Sequence, residues 1–129
     1  MTSEELNFFK DRGSVFLSCV EHCEEAIMLT DTHGALFYVN PAWERIYGYT
    51  KEDVVGQTPR MLRYVHQNDA FYHSMWDEIL ATGSWKGELI NRAKDGREVP
   101  IILTITPFKD SAGNIRGYMG IAVDLSEKK

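Results

Sequence analysis

Cysteine is scarce in this sequence, where Cys19 and Cys23 are the only two among 129 residues. Two thiols with one neighbouring histidine, His22, do not complete a closed metal site, and the pair does not indicate a disulfide framework. Both cysteines lie in one predicted helix, four residues apart. We therefore interpret them as small apolar residues of a buried stripe.

Long apolar runs and basic clusters are also missing. No run approaches the roughly 20 residues that span a bilayer, and the first residues lack the basic start of a secretory signal. The formal net charge of −5 argues against a nucleic-acid-binding surface. No nucleophile elbow, phosphate-binding loop or metal-ligand spacing is present, so we do not expect an enzyme. These absences leave a cytoplasmic protein of one domain, long enough for a sizeable core.

Three predicted strands joined by two polar turns make up the C-terminal third. They cover Trp85 to Ala93, Glu98 to Phe108 and Ile115 to Asp124, with an Asp-Gly pair in the first turn. Alternation gives each strand an apolar face, made in order by Trp85, Leu89 and Ala93, by Val99, Ile101, Leu103 and Ile105, and by Ile115, Met119, Ile121 and Val123. Short turns between consecutive strands predict an antiparallel meander with one face toward a core.

Asn91 is a polar residue that this alternation places on an apolar face, in register with Trp85 and Leu89. A buried amide costs stability unless its donors and acceptors are satisfied. Asn91 therefore either holds a neighbouring backbone segment or contacts a molecule bound inside the domain. The sequence leaves both alternatives open.

The N-terminal half begins with a predicted amphipathic helix from Ser3 to Glu25. Its seam residues are spaced three and four apart: Leu6, Phe9, Phe16, Val20, Cys23 and Ile27. The seam packs either on the protein's own sheet or on the same helix of a second chain. A hairpin of two short strands follows, from Ala26 to Asp31 and from Ala35 to Asn40.

Short helices and one longer helix separate the hairpin from the meander. Helix starts and stops predict segments from Pro41 to Tyr47 and from Thr50 to Gly56, and one further turn through Leu62. The longest of these helices starts at Asn68 or Asp69 and ends at Thr82, before Gly83. Its broad apolar stripe, which is placed to wall a cavity against the meander, consists of Phe71, Met75, Ile79, Tyr72, Trp76 and Leu80.

Taken together and in this order, several short motifs resemble a PAS domain over residues 25–129. They are Tyr38-Val39-Asn40-Pro41-Ala42-Trp43, Gly48-Tyr49, Val54-Val55-Gly56, Phe71-Tyr72 with Met75-Trp76, Trp85-Lys86-Gly87-Glu88, Asn91-Arg92, Lys94-Asp95-Gly96 and Val123-Asp124-Leu125-Ser126. The resemblance implies an α+β fold, in which short helices cover one face of a five-stranded antiparallel sheet. With the N-terminal helix at 1–24, the PAS domain spans 25–126, and 127–129 begin a linker toward an output helix.

The resemblance also implies a pocket for flavin, haem, a small metabolite, or nothing. In the light-sensing flavin subfamily a reactive cysteine follows a glycine in a short helix. The matching stretch from Gly56 to Leu62 carries Pro59 at that position, so no flavin–cysteine adduct is expected. Redox-sensing members that bind FAD are similar through Trp76, Trp85 and Asn91-Arg92. Haem-binding members use an axial histidine, for which His66 and His73 are the nearby candidates, both off the apolar stripe.

Such domains are sensory modules that regulate an attached effector, such as a histidine kinase or a diguanylate cyclase. The alternative is a purely structural module for dimerisation and signal relay, without a ligand. We expect a homodimer with no nucleic-acid partner, no metal and no membrane insertion. Its expected dimer contacts are Leu6, Phe9, Phe16 and Val20. The expected pocket residues are Asn91, Trp76, Met75, Trp85, Leu89, Ile101 and Met119.

For signalling, the resemblance suggests a role for Asn91 in the pocket. Its amide can exchange an acceptor for a donor when a bound ring changes protonation. We expect the strand that carries Asn91 to pass that change to Asp124 and to the output helix.

Overall fold

The computed structural model of the chain describes residues 2–4, 12–64 and 66–126. The helical segments of this part of the chain include α1 at Arg12–His22, α2 at Pro41–Tyr47, α3 at Lys51–Val54, a 3-10 helix at Pro59–Leu62 and α4 at Asp69–Thr82. Five strands complete it: β1 at Ala26–Thr30, β2 at Leu36–Val39, β3 at Trp85–Arg92, β4 at Glu98–Lys109 and β5 at Ile115–Asp124.

The five strands form one antiparallel sheet in the order β2-β1-β5-β4-β3. The last strand lies in the middle because β5 pairs with β4 on one side and with β1 on the other. In this way β5 joins the first hairpin to the C-terminal meander. Side chains from α2, the 3-10 helix and α4 pack over one face of the sheet, here called the inner face. The predicted α+β fold with a five-stranded antiparallel sheet is confirmed.

Helix ends are fixed by local signals that the sequence displays. Asn40 caps α2 by accepting a hydrogen bond from the backbone N–H of Trp43, and Pro41 takes the first helical position. Gly48 ends α2 at φ 82°, which a residue without Cβ adopts readily. Thr50 and Asp53 form a reciprocal capping box at α3. The predicted bounds of these short helices therefore agree with the structure to within a few residues.

The predicted inner face of β5 is wrong. Gly120 and Ala122 are buried there, because they pair with Ile105 and Leu103 of β4. Met119 and Ile121 point to the opposite, outer face. Alternation was misleading because both faces of this strand carry apolar atoms, and the inner face uses the smaller residues. A Cβ at Gly120 would lie 2.6 Å from Met28 Cε, so a larger residue does not fit without rearrangement.

Two helical stripes are also narrower than predicted. On α4, Met75 and Ile79 are buried, whereas Leu80 is 76% exposed. Cys19 on α1 is exposed and Cys23, just after the end of α1, is half-buried, so the interpretation of both cysteines as buried stripe residues is wrong. The side chain of Phe16 is 55% exposed and Val20 is half-buried. The predicted seam residues Leu6 and Phe9 lie outside the described residues.

None of the helices in the described ranges is both long enough and apolar enough to cross a membrane.

Candidate functional site

A cavity of about 680 Å³ lies between the inner face of the sheet and the helices. Its floor is formed by the sheet, from residues that include Met28, Leu89, Asn91, Leu103, Gly120 and Ala122. Its walls come from α2, the 3-10 helix and α4, through Trp43, Tyr47, Leu62, Tyr72, Met75 and Trp76. Ala122 presents only a methyl group to the centre of the floor, whereas the space over Gly120 is filled by the side chain of Met28. The volume falls in the range of about 300–1,000 Å³ that is typical of small-molecule sites.

Four of the expected pocket residues line this cavity: Asn91, Trp76, Met75 and Leu89. Three do not. Ile101 is fully covered, and Met119 lies on the outer face of the sheet. Trp85 lies on the inner face of β3, but its ring folds over Gly87 and meets the Phe71 ring edge-on at 5.8 Å. The expectation that Trp85, Ile101 and Met119 line the pocket is therefore wrong.

Asn91 is a buried polar residue on the cavity floor, at 8% exposure. Its Oδ1 accepts a hydrogen bond of 2.7 Å from the hydroxyl group of Tyr47 on α2. Its amide nitrogen, Nδ2, makes no hydrogen bond within the described ranges and is not sealed off from the cavity. The arrangement leaves the NH2 group of Asn91 available to donate to a molecule in the cavity.

Tyr47 is almost completely buried, at 1% exposure. Burial raises the pKa of its phenol well above the usual value, and the carboxylate of Asp124 raises it further. The phenol therefore keeps its proton at neutral pH and acts as a hydrogen-bond donor. Its ring packs against Trp43 with centroids 4.9 Å apart, and its backbone oxygen accepts a hydrogen bond of 2.8 Å from Lys94 N.

The segment after the 3-10 helix closes the cavity beside Asn91. The backbone of Arg63 forms an antiparallel bridge with Asn91. The guanidinium of Arg63 lies 4.8 Å from the ring centre of Tyr72 and donates a hydrogen bond to Asp69. This guanidinium lowers the pKa of the Asp69 carboxyl. The contacts fix Tyr72 and the start of α4 against the floor strand.

The mouth of the cavity carries exposed polar and charged residues. They include His33, Arg60, His73 and Asp77, all of which line the opening. His66 and His73, the two candidates for a haem ligand, are both exposed. No group of three or more metal-ligating side chains occurs in the described part of the chain. The apolar interior and charged mouth suit a ligand with an apolar body and a polar or charged end.

Sequence reasoning identified Asn91 but missed Tyr47 and the buried role of Asn40. Asn40 is 0% exposed and makes four side-chain hydrogen bonds. Its Oδ1 accepts from the backbone N–H groups of Ile27 and Trp43, while its Nδ2 donates to the backbone oxygens of Val20 and Glu25. Asn40 thus joins the end of α1 to β1 and α2. The sequence displays Asn40 as a helix cap, but a cap alone does not reveal the three contacts upstream, with Val20, Glu25 and Ile27.

Comparison with known proteins gives a consistent result. The sequence profile of a PAS domain family matches residues 24–127. The nitrogen fixation regulatory protein of Klebsiella pneumoniae is 34% identical over 112 residues, which are 87% of this chain and 23% of that protein. A blue light receptor of Aspergillus flavus is 29% identical over 127 residues, covering 89% of this chain and 14% of the receptor. The chain thus spans less than a quarter of either relative.

Solved structures agree with the sequence comparisons. The crystal structure of the PAS domain of a protein from Colwellia psychrerythraea superimposes with a TM-score of 0.82 at 25% identity. The match covers 92% of this chain and 100% of that domain.

Proposed function

The chain belongs to the PAS domain family, and on that premise we propose that it is a cytoplasmic sensory module that binds FAD in its cavity. The redox state of the cofactor would regulate an attached effector, a histidine kinase or a diguanylate cyclase. The observation that carries this proposal is the cavity of about 680 Å³, whose floor offers the N–H donor of Asn91.

The residues present fit a flavin. The tricyclic ring is flat and largely apolar, and the walls supply aromatic and methionine side chains through Trp43, Trp76 and Met75. The ring also carries carbonyl oxygens and ring nitrogens that accept hydrogen bonds, which complements the donor of Asn91. Arg60 at the mouth carries a charge opposite to that of the diphosphate. When bound, the flavin would supply reversible electron transfer.

The cavity does not suit light-driven thiol chemistry. Pro59 lines it at the position where the light-sensing subfamily has its reactive cysteine. Neither Cys19 nor Cys23 lines the cavity. We therefore propose that a bound flavin responds to redox conditions rather than through a covalent adduct.

The first prediction is that the purified or FAD-reconstituted protein is yellow and holds about one flavin per chain, as expected for one cavity of this size. Absorption spectra and quantification of the cofactor released by denaturation measure this. Excess FAD should also raise Tm, because a ligand that binds only the folded state stabilises it. Absence of flavin after reconstitution, with no shift in Tm, would contradict the proposed cofactor. A Tm shift with haem or with a metabolite instead would replace it.

Dimerisation through the N-terminal helix is the second part of the proposed function. The alternative function, a structural module without a ligand, depends on dimerisation alone. It is supported by the seam residue Phe16 on α1, which is 55% exposed, while the neighbouring Leu17 is 52% exposed and lies outside the seam. Apolar side chains on a helix at this exposure favour a partner surface. Phe16 belongs to the predicted seam and Leu17 does not. Substitutions at these two positions therefore distinguish packing through the seam from a general effect of exposed apolar residues.

We predict that Phe16→Glu weakens dimerisation, because a charge at a seam position is desolvated in the interface. Sedimentation equilibrium should give a dimer dissociation constant at least about tenfold higher than that of the wild type, equivalent to about 1.4 kcal/mol. Leu17→Glu is the matched control and should leave the constant almost unchanged. Equal effects of the two substitutions, or no effect of either, would argue against dimerisation through the predicted seam.

A further inference from the structure

We infer that Tyr47 holds the amide of Asn91 in one orientation, so that the cavity selects ligands that place a hydrogen-bond acceptor next to Nδ2. The inference rests on the proposed function in that it specifies the ligand of the same cavity. It assigns Tyr47 as a positioning residue that acts through Asn91. It also identifies the chemical group that is recognised: a carbonyl oxygen or an unprotonated ring nitrogen.

The orientation follows from the single proton of the phenol. Tyr47 donates to Asn91 Oδ1 at 2.7 Å, and this is its only side-chain hydrogen bond within the described residues. If the amide were turned, its NH2 group would face the phenol oxygen, and the phenol proton would lose its acceptor. A buried O–H group without an acceptor is disfavoured, so the observed orientation is the stable one. The carboxylate of Asp124 acts on Tyr47 through its charge without forming a hydrogen bond.

Tyr47 cannot readily move to follow a turning amide. Its ring is held against Trp43, with centroids 4.9 Å apart, and its backbone oxygen is bonded to Lys94 N. The hydroxyl group of Tyr47 therefore stays in place as the donor to Asn91 Oδ1. An exchange of acceptor for donor by the amide of Asn91 therefore first requires its hydrogen bond with Tyr47 to break.

A redox-active ring is sensitive to this arrangement. Reduction of an oxidised flavin by two electrons and a proton converts an acceptor nitrogen of the central ring into an N–H donor. Two N–H groups would then face each other if that edge of the ring lies at Asn91 Nδ2. With Tyr47 in place, the oxidised ring should therefore bind more tightly than the reduced ring.

Anaerobic titration of the wild type with oxidised and with reduced FAD tests this preference. We expect the wild type to bind oxidised FAD at least about tenfold more tightly, a difference of about 1.4 kcal/mol. Asn91→Asp keeps an oxygen for Tyr47 but presents an oxygen instead of N–H to the cavity, so the preference should reverse. Tyr47→Phe frees the amide to turn, so the ratio should fall toward one. Tyr49→Phe, a matched substitution outside the cavity lining, should keep the wild-type ratio.

An unchanged ratio in Tyr47→Phe, or a wild-type ratio in Asn91→Asp, would overturn the inference. If the wild type binds neither form of FAD, the proposed cofactor fails and NMR of the ligand-free protein decides the inference by itself. The hydroxyl proton of Tyr47 should exchange slowly and give no strong cross-peak to the NH2 protons of Asn91. A strong cross-peak between them would place the NH2 group against the phenol and overturn the assigned orientation.

Discussion

Replacement of Asn40 by alanine is expected to lower the free energy of unfolding by roughly 3 kcal/mol, since each buried polar group left without a partner costs about 1–3 kcal/mol. The substitution removes partners from four backbone groups, those of Ile27, Trp43, Val20 and Glu25. The N–H groups of Ile27 and Trp43 are buried and contribute most of the loss. The oxygens of Val20 and Glu25 are partly buried, and water replaces part of their bonding. Chemical denaturation of the wild type and the variant measures the difference.

Asn68→Ala is the matched control for this loss. Asn68 caps α4 through one hydrogen bond of 2.9 Å to Phe71 N, in an exposed position. Removal of an exposed helix cap costs about 1 kcal/mol. If both substitutions destabilised the protein equally, Asn40 would act as an ordinary cap, and the contacts with Val20 and Glu25 would contribute nothing.

The difference between these two asparagines illustrates what the sequence can predict. Both were identifiable as caps, because an asparagine before a helical segment is a local signal. The burial of Asn40 depends on Val20 and Glu25, which come from another element and contact it only in the folded protein. The same reasoning applies to the pair Tyr47 and Asn91, which are 44 residues apart. Alternation placed Asn91 on the inner face, but nothing local indicates the phenol that bonds to it.

The faces of the strands were predictable where large and polar residues alternate. On β4, Val99, Ile101 and Leu103 are buried as the pattern predicts. On β5 the pattern failed because Gly120 and Ala122, the smallest residues, occupy the inner face. A rule that assigns the larger apolar residues to the core fails on a strand whose small residues face a cavity. The small residues on the inner face of β5 therefore explain both the wrong placement of Met119 in the pocket and the space above Ala122.

This space leads to the prediction with the largest effect on binding. Ala122→Phe should lower the affinity for FAD by roughly 100-fold, because overlap with a filled site costs about 1–3 kcal/mol, and every 1.4 kcal/mol is tenfold. Ala122 lies on the cavity floor between Leu103 of β4 and Ala26 of β1. A phenyl ring there enters the cavity of about 680 Å³ instead of the packed core, so the fold should be retained. Titration with FAD measures the affinity, and a denaturation curve separately measures the free energy of unfolding.

Val123→Phe provides the control, because Val123 is the next residue on β5 and faces the outer side of the sheet. It introduces the same ring on the same strand without entering the cavity, and it should leave the affinity for FAD within about twofold of the wild type, as an ordinary surface substitution does. A loss of affinity shared by both variants would mean that the strand had been distorted. A fully folded Ala122→Phe protein that binds FAD normally would place the flavin outside this cavity, because the ring and the cofactor cannot occupy the same volume.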